Sequence, residues 1–157
     1  MDIKIVDDFL SLSDLRKAYH ISTEAAWNIQ ASKPNDSQFL IHDVSNITFF
    51  CEHIFGKLSQ YLDGNYKIQR IYYNGQWSGR EGTPHRDGCD ATALIYLSDY
   101  KLGWGGFTEI YSKKPVVIHP ITNRMVIFPG NLKHKGYSYT YQDTPMRVTL
   151  AFKLNKY

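Results

Sequence analysis

Thr83-Pro84-His85-Arg86-Asp87-Gly88 places a histidine and an aspartate two residues apart. In an extended segment, side chains two apart point to the same face. His85 and Asp87 can therefore reach one point, while Arg86 faces away. A second imidazole brought in from another strand would complete two nitrogens and one carboxylate oxygen around a metal. That set covers one face of an octahedron, leaves positions open for reactants, and suits a ferrous ion. His134 is the candidate. It sits in Lys133-His134-Lys135, after the apolar run Met125-Val126-Ile127-Phe128 and the turn Pro129-Gly130. Taken singly, each piece has a plainer reading. A His-x-Asp spacing arises by chance in surface turns, and a histidine between two lysines suits a solvated turn.

A second chemical signal lies in Met146-Arg147-Val148-Thr149-Leu150-Ala151-Phe152, where an arginine enters an otherwise apolar strand. Burying a guanidinium without a partner is expensive. Arg147 and Thr149 share a face and could form a socket for a carboxylate, the guanidinium giving two parallel hydrogen bonds. Pairing with a carboxylate of the protein itself is the commoner fate of an arginine in a strand. Two further stretches could line the same space. Asp90-Ala91-Thr92-Ala93-Leu94-Ile95-Tyr96-Leu97 reads as a strand with Thr92, Leu94 and Tyr96 on one face, and Gly103-Trp104-Gly105-Gly106-Phe107-Thr108 reads as a tight turn.

The elements that must position these residues follow from periodicity. Residues 3–6 alternate as a short strand. Leu12, Leu15, Ala18 and Tyr19 fall at helical spacing, which predicts a helix over 12–22 with Ser11 or Ser13 as its cap and Asp14 at its positive end. A strand is expected over 23–31 and a polar loop over 32–38. Ile47, Phe50, Cys51, Ile54, Phe55, Leu58 and Leu62 form an apolar stripe, predicting the main helix over 46–62. Beyond Asp63-Gly64-Asn65 the pattern becomes strands and turns. Strands are expected over 66–73, 82–87, 91–98, 106–111, 115–119, 124–128, 132–138 and 146–154. Eight short strands between Gly, Pro and Asn turns predict a double-sheet jelly roll, with helices over one outer face. Within one domain over 1–157, residues 1–65 would be the helical support and 66–154 the core.

Bulk properties narrow the function. Eighteen Lys and Arg against fifteen Asp and Glu leave a net charge of +3, too small by itself to argue for nucleic acid. Cys51 and Cys89 are the only cysteines, which does not suggest a secreted disulfide framework. Residues 1–10 show no leader pattern, and no apolar run approaches the ~20 residues of a membrane span. A reducing cytoplasmic location is expected, and it suits a ferrous ion.

The ordered set resembles the 2-oxoglutarate/Fe(II)-dependent dioxygenases, and within them the prolyl 4-hydroxylase-like branch. That set is His-x-Asp, a Thr-x-x-x-Tyr-Leu strand, Gly-Gly-x-Thr, a strand ending in Phe-Pro-Gly, a histidine, and Arg-x-Thr. It spans residues 66–154 and is far more specific than any one motif. The resemblance implies a double-stranded β-helix with His85, Asp87 and His134 binding Fe(II). It implies that Arg147 holds the far carboxylate of 2-oxoglutarate, with Thr149 beside it and the Tyr96 hydroxyl on the same carboxylate. Tyr73 would line the co-substrate pocket, and Thr92 and Thr108 match pocket positions. The implied reaction hydroxylates an unactivated C–H bond using dioxygen, with ascorbate a candidate reductant.

The implied first-choice substrate is a peptidyl or protein residue such as proline. Two departures bear on it: Cys89 and Gly82 stand where many collagen-type relatives carry an arginine and a tyrosine that hold the peptide. Arg147 stands where many use lysine. The same chemistry on a nucleic acid or a small molecule, and a cupin-like metal protein without oxygenase activity, are the alternatives. A cupin has no need of a carboxylate socket on its last strand. The polar, glycine-rich stretch 74–84 reads as a mobile lip over the substrate, with Trp77, Arg80 and Trp104 facing it, or equally as an ordinary loop.

Overall fold

The computed structural model describes residues 1–31 and 38–157. The chain runs β1 (Lys4–Val6), α1 (Leu12–Thr23), β2 (Asn28–Gln30) and β3 (Phe39–Asp43). A helical segment follows that is π-wound over Phe49–Ile54 and α-helical over Phe55–Ser59, which we call α2. Next come β4 (Tyr66–Gln76), β5 (Ala91–Tyr96), β6 (Thr108–Tyr111), β7 (Val116–Ile118), β8 (Met125–Pro129), β9 (Lys133–Gly136) and β10 (Arg147–Lys156). Seven strands form an antiparallel sheet in the order β1-β8-β5-β10-β4-β3-β2, and three form a second sheet in the order β7-β6-β9. This is the expected jelly roll.

Strand alternation sorts every long strand into two faces. On β10, Val148, Leu150, Phe152 and Leu154 point outward into the main core, together with Ile71 of β4, Ala93 and Ile95 of β5, and Ile127 of β8. Ala18 of α1 and Phe50, Ile54 and Leu58 of the second helical segment close that core from outside. The opposite face looks toward the small sheet. Tyr96, Val126 and Phe128 meet Ile110 and Ile118 there in a second apolar cluster. The part of the inner face left open between β10 and β4 becomes the site.

The N-terminal helix begins as its sequence demands: the Ser11 side chain accepts from the Asp14 backbone N–H at 3.2 Å. Asp14 then binds Lys57 at 2.7 Å and His53 at 3.0 Å, tying the two helical segments together. Several expectations need correction. The helix expected over 46–62 is shorter at both ends and begins as a π-helix. The strand expected over 23–31 is confined to Asn28–Gln30, because α1 continues to Thr23. The segment 82–87 is not a strand. It makes one bridge, His85 opposite His134, with further single backbone bonds from Gly82 to Gly136 and from Asp87 to Gly130. Strand β3 was not expected, although Phe39-Leu40-Ile41 carries an apolar run; it pairs with β4. The expected loop, apart from Gln38, lies outside the described residues.

Phe50 is fully buried and meets Tyr73 edge to face, with ring centroids 5.7 Å apart. We expect Phe50→Ala to lower unfolding stability by about 3–5 kcal/mol, read from the urea midpoint.

Candidate metal centre

The His85–His134 bridge decides the site. His85 N–H donates to the His134 carbonyl at 3.0 Å, and His134 N–H donates back at 2.8 Å. A directly paired couple of residues on adjacent strands holds its side chains close. Here the imidazole centroids are 4.4 Å apart. Asp87, two residues on, returns to the same point, its backbone N–H donating to the Gly130 carbonyl at 2.9 Å. One donor atom from each of His85, Asp87 and His134 lies within 4.8 Å of the others. His85 Nε2 is 3.5 Å from Asp87 Oδ1, and His134 Nε2 is 3.5 Å from Asp87 Oδ2. Neighbouring donors on an octahedron with ~2.1 Å bonds lie about 3 Å apart, so both imidazole–carboxylate distances stand near that spacing.

The ring orientations also fit a metal. His85 Nδ1 lies 2.8 Å from the Thr83 carbonyl and His134 Nδ1 3.0 Å from the Leu132 carbonyl. A carbonyl only accepts, so each Nδ1 carries its proton and each Nε2 presents a lone pair to the shared point. Thr92 donates to Asp87 Oδ2 at 2.5 Å, and the Lys153 ammonium touches the same oxygen. Burial would raise the Asp87 pKa, but hydrogen bonding to His85 and the charge of Lys153 outweigh it and hold the carboxyl well below its ordinary range. His134 is 5% exposed, and burial lowers its pKa to about 4, against a smaller opposing pull from Asp87. It is therefore neutral at pH 7, as a metal ligand would have to be. His85, at the mouth, is raised, chiefly by its hydrogen bond to Asp87.

From this point a cavity of about 200 Å³ runs along β10 and β4 to Arg147. Arg147 is 2% exposed. Its Nε donates to the Gly106 carbonyl at 2.6 Å, Nη1 to Gln76 Oε1 at 2.8 Å, and Nη2 to Thr108 Oγ1 at 3.0 Å. All three acceptors are neutral. Among the described residues no carboxylate pairs with this guanidinium, which removes the plainer reading of a structural ion pair. Gly106 must be glycine for this contact: φ is +72°, and a Cβ would stand 2.5 Å from the Tyr139 ring. Thr149 faces the cavity beside Arg147. Asn74 Oδ1, also on the cavity, is buried without a hydrogen-bond partner among the described residues.

The other predicted residues divide. Tyr96 lies behind the socket rather than in it. Its ring sits 5.3 Å from the guanidinium carbon and its hydroxyl donates to Thr108 Oγ1 at 2.8 Å, so Thr108 is the hydroxyl that lines the cavity. Tyr73 is a correction. It points to the outer face of β4 and donates to the Ala18 carbonyl at 2.7 Å, away from the cavity. Its neighbour Tyr72 lines the cavity instead, because alternation sends Arg70, Tyr72, Asn74 and Gln76 inward. That alternation was the signal for Gln76 and Tyr72. For Lys153 the signal was its place six residues past Arg147, on the same face. Residues 74–76 of the expected lip belong to β4. Trp77 and Arg80 line a separate shallow groove with Ile29 and Phe39, and Trp104 packs edge-on to Tyr139, outside the cavity.

No family model matches the chain, and no curated protein matches it. Solved structures do. A prolyl hydroxylase from Trichoplax adhaerens, in complex with a hypoxia inducible factor peptide fragment, superposes with a TM-score of 0.75 at 19% identity, covering 98% of this chain and 83% of that one. A 2OG-Fe(II) oxygenase family oxidoreductase from Burkholderia pseudomallei gives 0.79 at 11% identity, covering 99% and 86%. The viral collagen prolyl hydroxylase of Paramecium Bursaria Chlorella virus-1, in its 2-oxoglutarate complex, gives 0.76 at 16% identity, covering 99% and 96%. The fold is that of the 2OG-Fe(II) oxygenases, prolyl 4-hydroxylases among them. No helix of the described residues is long and apolar enough to cross a membrane.

Two outcomes follow. Tyr73→Phe should cost about 1 kcal/mol of stability and leave 2-oxoglutarate affinity unchanged, measured by urea unfolding and calorimetric titration. The second concerns pH. The unfolded chain protonates His134 near 6.5, whereas the folded chain resists until about 4. The unfolded state therefore binds more protons in that window, and the metal-free protein loses up to about 3 kcal/mol as pH falls from 6.5 to 4. The raised pKa of His85 acts in the opposite sense, above 6.5. Urea midpoints in chelator should fall on acidification, and fall less in His134→Leu.

Proposed function

We propose that this chain is an Fe(II)- and 2-oxoglutarate-dependent dioxygenase that hydroxylates an unactivated C–H bond. One observation carries the reading: a buried guanidinium without a carboxylate partner stands at one end of a cavity, and a two-histidine, one-carboxylate cluster stands at the other. A cavity built that way suits a small dicarboxylate that touches both ends.

The roles divide by residue. His85, Asp87 and His134 would hold Fe(II) on one face and leave the remaining positions toward the cavity. When bound there, the ion supplies dioxygen binding and oxidising power, with 2-oxoglutarate as the source of electrons. Arg147 anchors one carboxylate of the co-substrate through its two remaining N–H groups. Gln76, Gly106 and Thr108 fix the plane of the guanidinium before the co-substrate arrives, so little is lost to ordering. Thr108 Oγ1 already accepts from Arg147 and Tyr96, which leaves its own proton free for that carboxylate. Phe128, edge-on to His134 at 4.8 Å between centroids, would shield that imidazole and an ion held by it from water. His85 is exposed and marks the entrance for the primary substrate.

A peptidyl or protein residue such as proline is the first-choice substrate. Support comes from the prolyl 4-hydroxylase-like motif order and from the likeness to a prolyl hydroxylase that holds a peptide. The departures at Cys89 and Gly82 keep a small molecule as the second reading.

The test is Fe(II)-dependent conversion of 2-oxoglutarate to succinate without primary substrate. Asp87→Ala should abolish it. Arg147→Ala should raise KM for 2-oxoglutarate roughly 100-fold, the equivalent of about 3 kcal/mol for a charge-assisted pair. Equal rates in wild type and both variants would overturn the assignment.

A further inference from the structure

We infer that the primary substrate carries a carboxylate, and that Lys153 binds it beside the metal. The inference rests on the dioxygenase reading above and adds the chemical class of the substrate.

Lys153 is the last inward residue of β10, on the face that carries Arg147, Thr149 and Ala151. Its side chain is 13% exposed and lines the cavity with His85 and His134. The ammonium touches Asp87 Oδ2 and lies 5.8 Å from the centre of the Tyr72 ring. Arg70, opposite Lys153 in the β4–β10 register, stands over the same ring at 4.9 Å. Two cations thus flank Tyr72 at the metal end of the cavity.

A metal centre has no use for that ammonium. Thr92 already orients Asp87 Oδ2 without adding charge. A cation on a ligand carboxylate weakens that carboxylate's attraction for a divalent ion. An apolar side chain at the same position would exclude water better and carry no desolvation penalty.

Charge balance supplies the reason. Arg147 offsets one carboxylate of 2-oxoglutarate, and a ferrous ion would offset Asp87 together with the other carboxylate. Arg70 gives its Nε to Asp43 at 2.8 Å, so that pair cancels too. Lys153 then leaves one positive charge uncompensated in a largely buried space, an arrangement that is unfavourable until a counter-charge arrives. One carboxylate completes the balance. A neutral substrate leaves the charge standing, and a phosphate dianion exceeds it. The ammonium has three N–H donors. Asp87 takes one, and the others can turn toward the incoming carboxylate. Lys153 is in this view a specificity-determining residue.

The experiment uses the full chain loaded with Mn(II) and 2-oxoglutarate, with oxygen excluded. Binding is measured by calorimetry for matched probes: N-acetyl amino acids against their amides, and a short peptide containing Glu against its Gln counterpart. In at least one pair the acid should bind at least ten-fold more tightly than its neutral partner. Lys153→Met should remove that preference and Lys153→Arg should keep it, with Mn(II) and 2-oxoglutarate affinities recorded for each variant. A preference among the N-acetyl amino acids identifies a free small carboxylate, and one in the peptide pair an acidic side chain; both support the inference. If Mn(II) and 2-oxoglutarate bind but no acid is preferred, or if Lys153→Met keeps the preference, the carboxylate inference is overturned and the dioxygenase reading stands. If wild type binds neither Mn(II) nor 2-oxoglutarate, both fall.

Discussion

A guanidinium enclosed by the fold and surrounded by neutral oxygens is the constraint on which the site depends. Arg147 keeps its charge under any ordinary condition. Gln76, Gly106 and Thr108 satisfy three of its hydrogens without neutralising it. Among the described residues no carboxylate completes it, an arrangement that suits a diffusible anion. The surrounding structure is shaped accordingly: Gly106 gives up its side chain so that its carbonyl can approach, and Tyr96 turns its ring beneath the guanidinium.

The opposite end of the cavity follows a complementary logic. Three donors converge because a two-residue spacing and one interstrand bridge bring them together, and backbone carbonyls set both imidazole tautomers. The carboxylate there is crowded by cationic and hydroxyl donors. The two ends sit on the same sheet, and β10 connects them, its outer face anchored by Leu150 and Phe152 in the main core. Rigidity of that strand is therefore what fixes the separation between Arg147 and the cluster of His85, Asp87 and His134.

Much of the plan was legible from residue order. The helix cap at Ser11, the run of short strands and the pairing of Arg147 with Thr149 on one face all follow from local rules. The misses have specific causes. Tyr72 and Tyr73 are chemically identical neighbours, and only the face that β4 turns to the helices separates them. The stretch 82–87 looks extended in sequence, yet it makes one bridge rather than a ladder, because its backbone bonds to 130, 134 and 136 do not keep one register. Trp77, Arg80 and Trp104 suggested a substrate surface by type alone; the turn beyond β4 carries the first two to a separate groove, and packing on Tyr139 removes the third.

The sequence alone determined the kinds of chemistry available: a carboxylate and imidazole at a spacing that converges, and an arginine in an apolar strand that demands an anion. Those are short-range properties of side-chain type and strand period. Only the tertiary structure decided which groups meet. Register across β4, β10 and the small sheet selected Gln76, Thr108 and Lys153, from segments far apart in the chain. No local pattern encodes that choice, because it is set by how the sheets align when their apolar faces are buried.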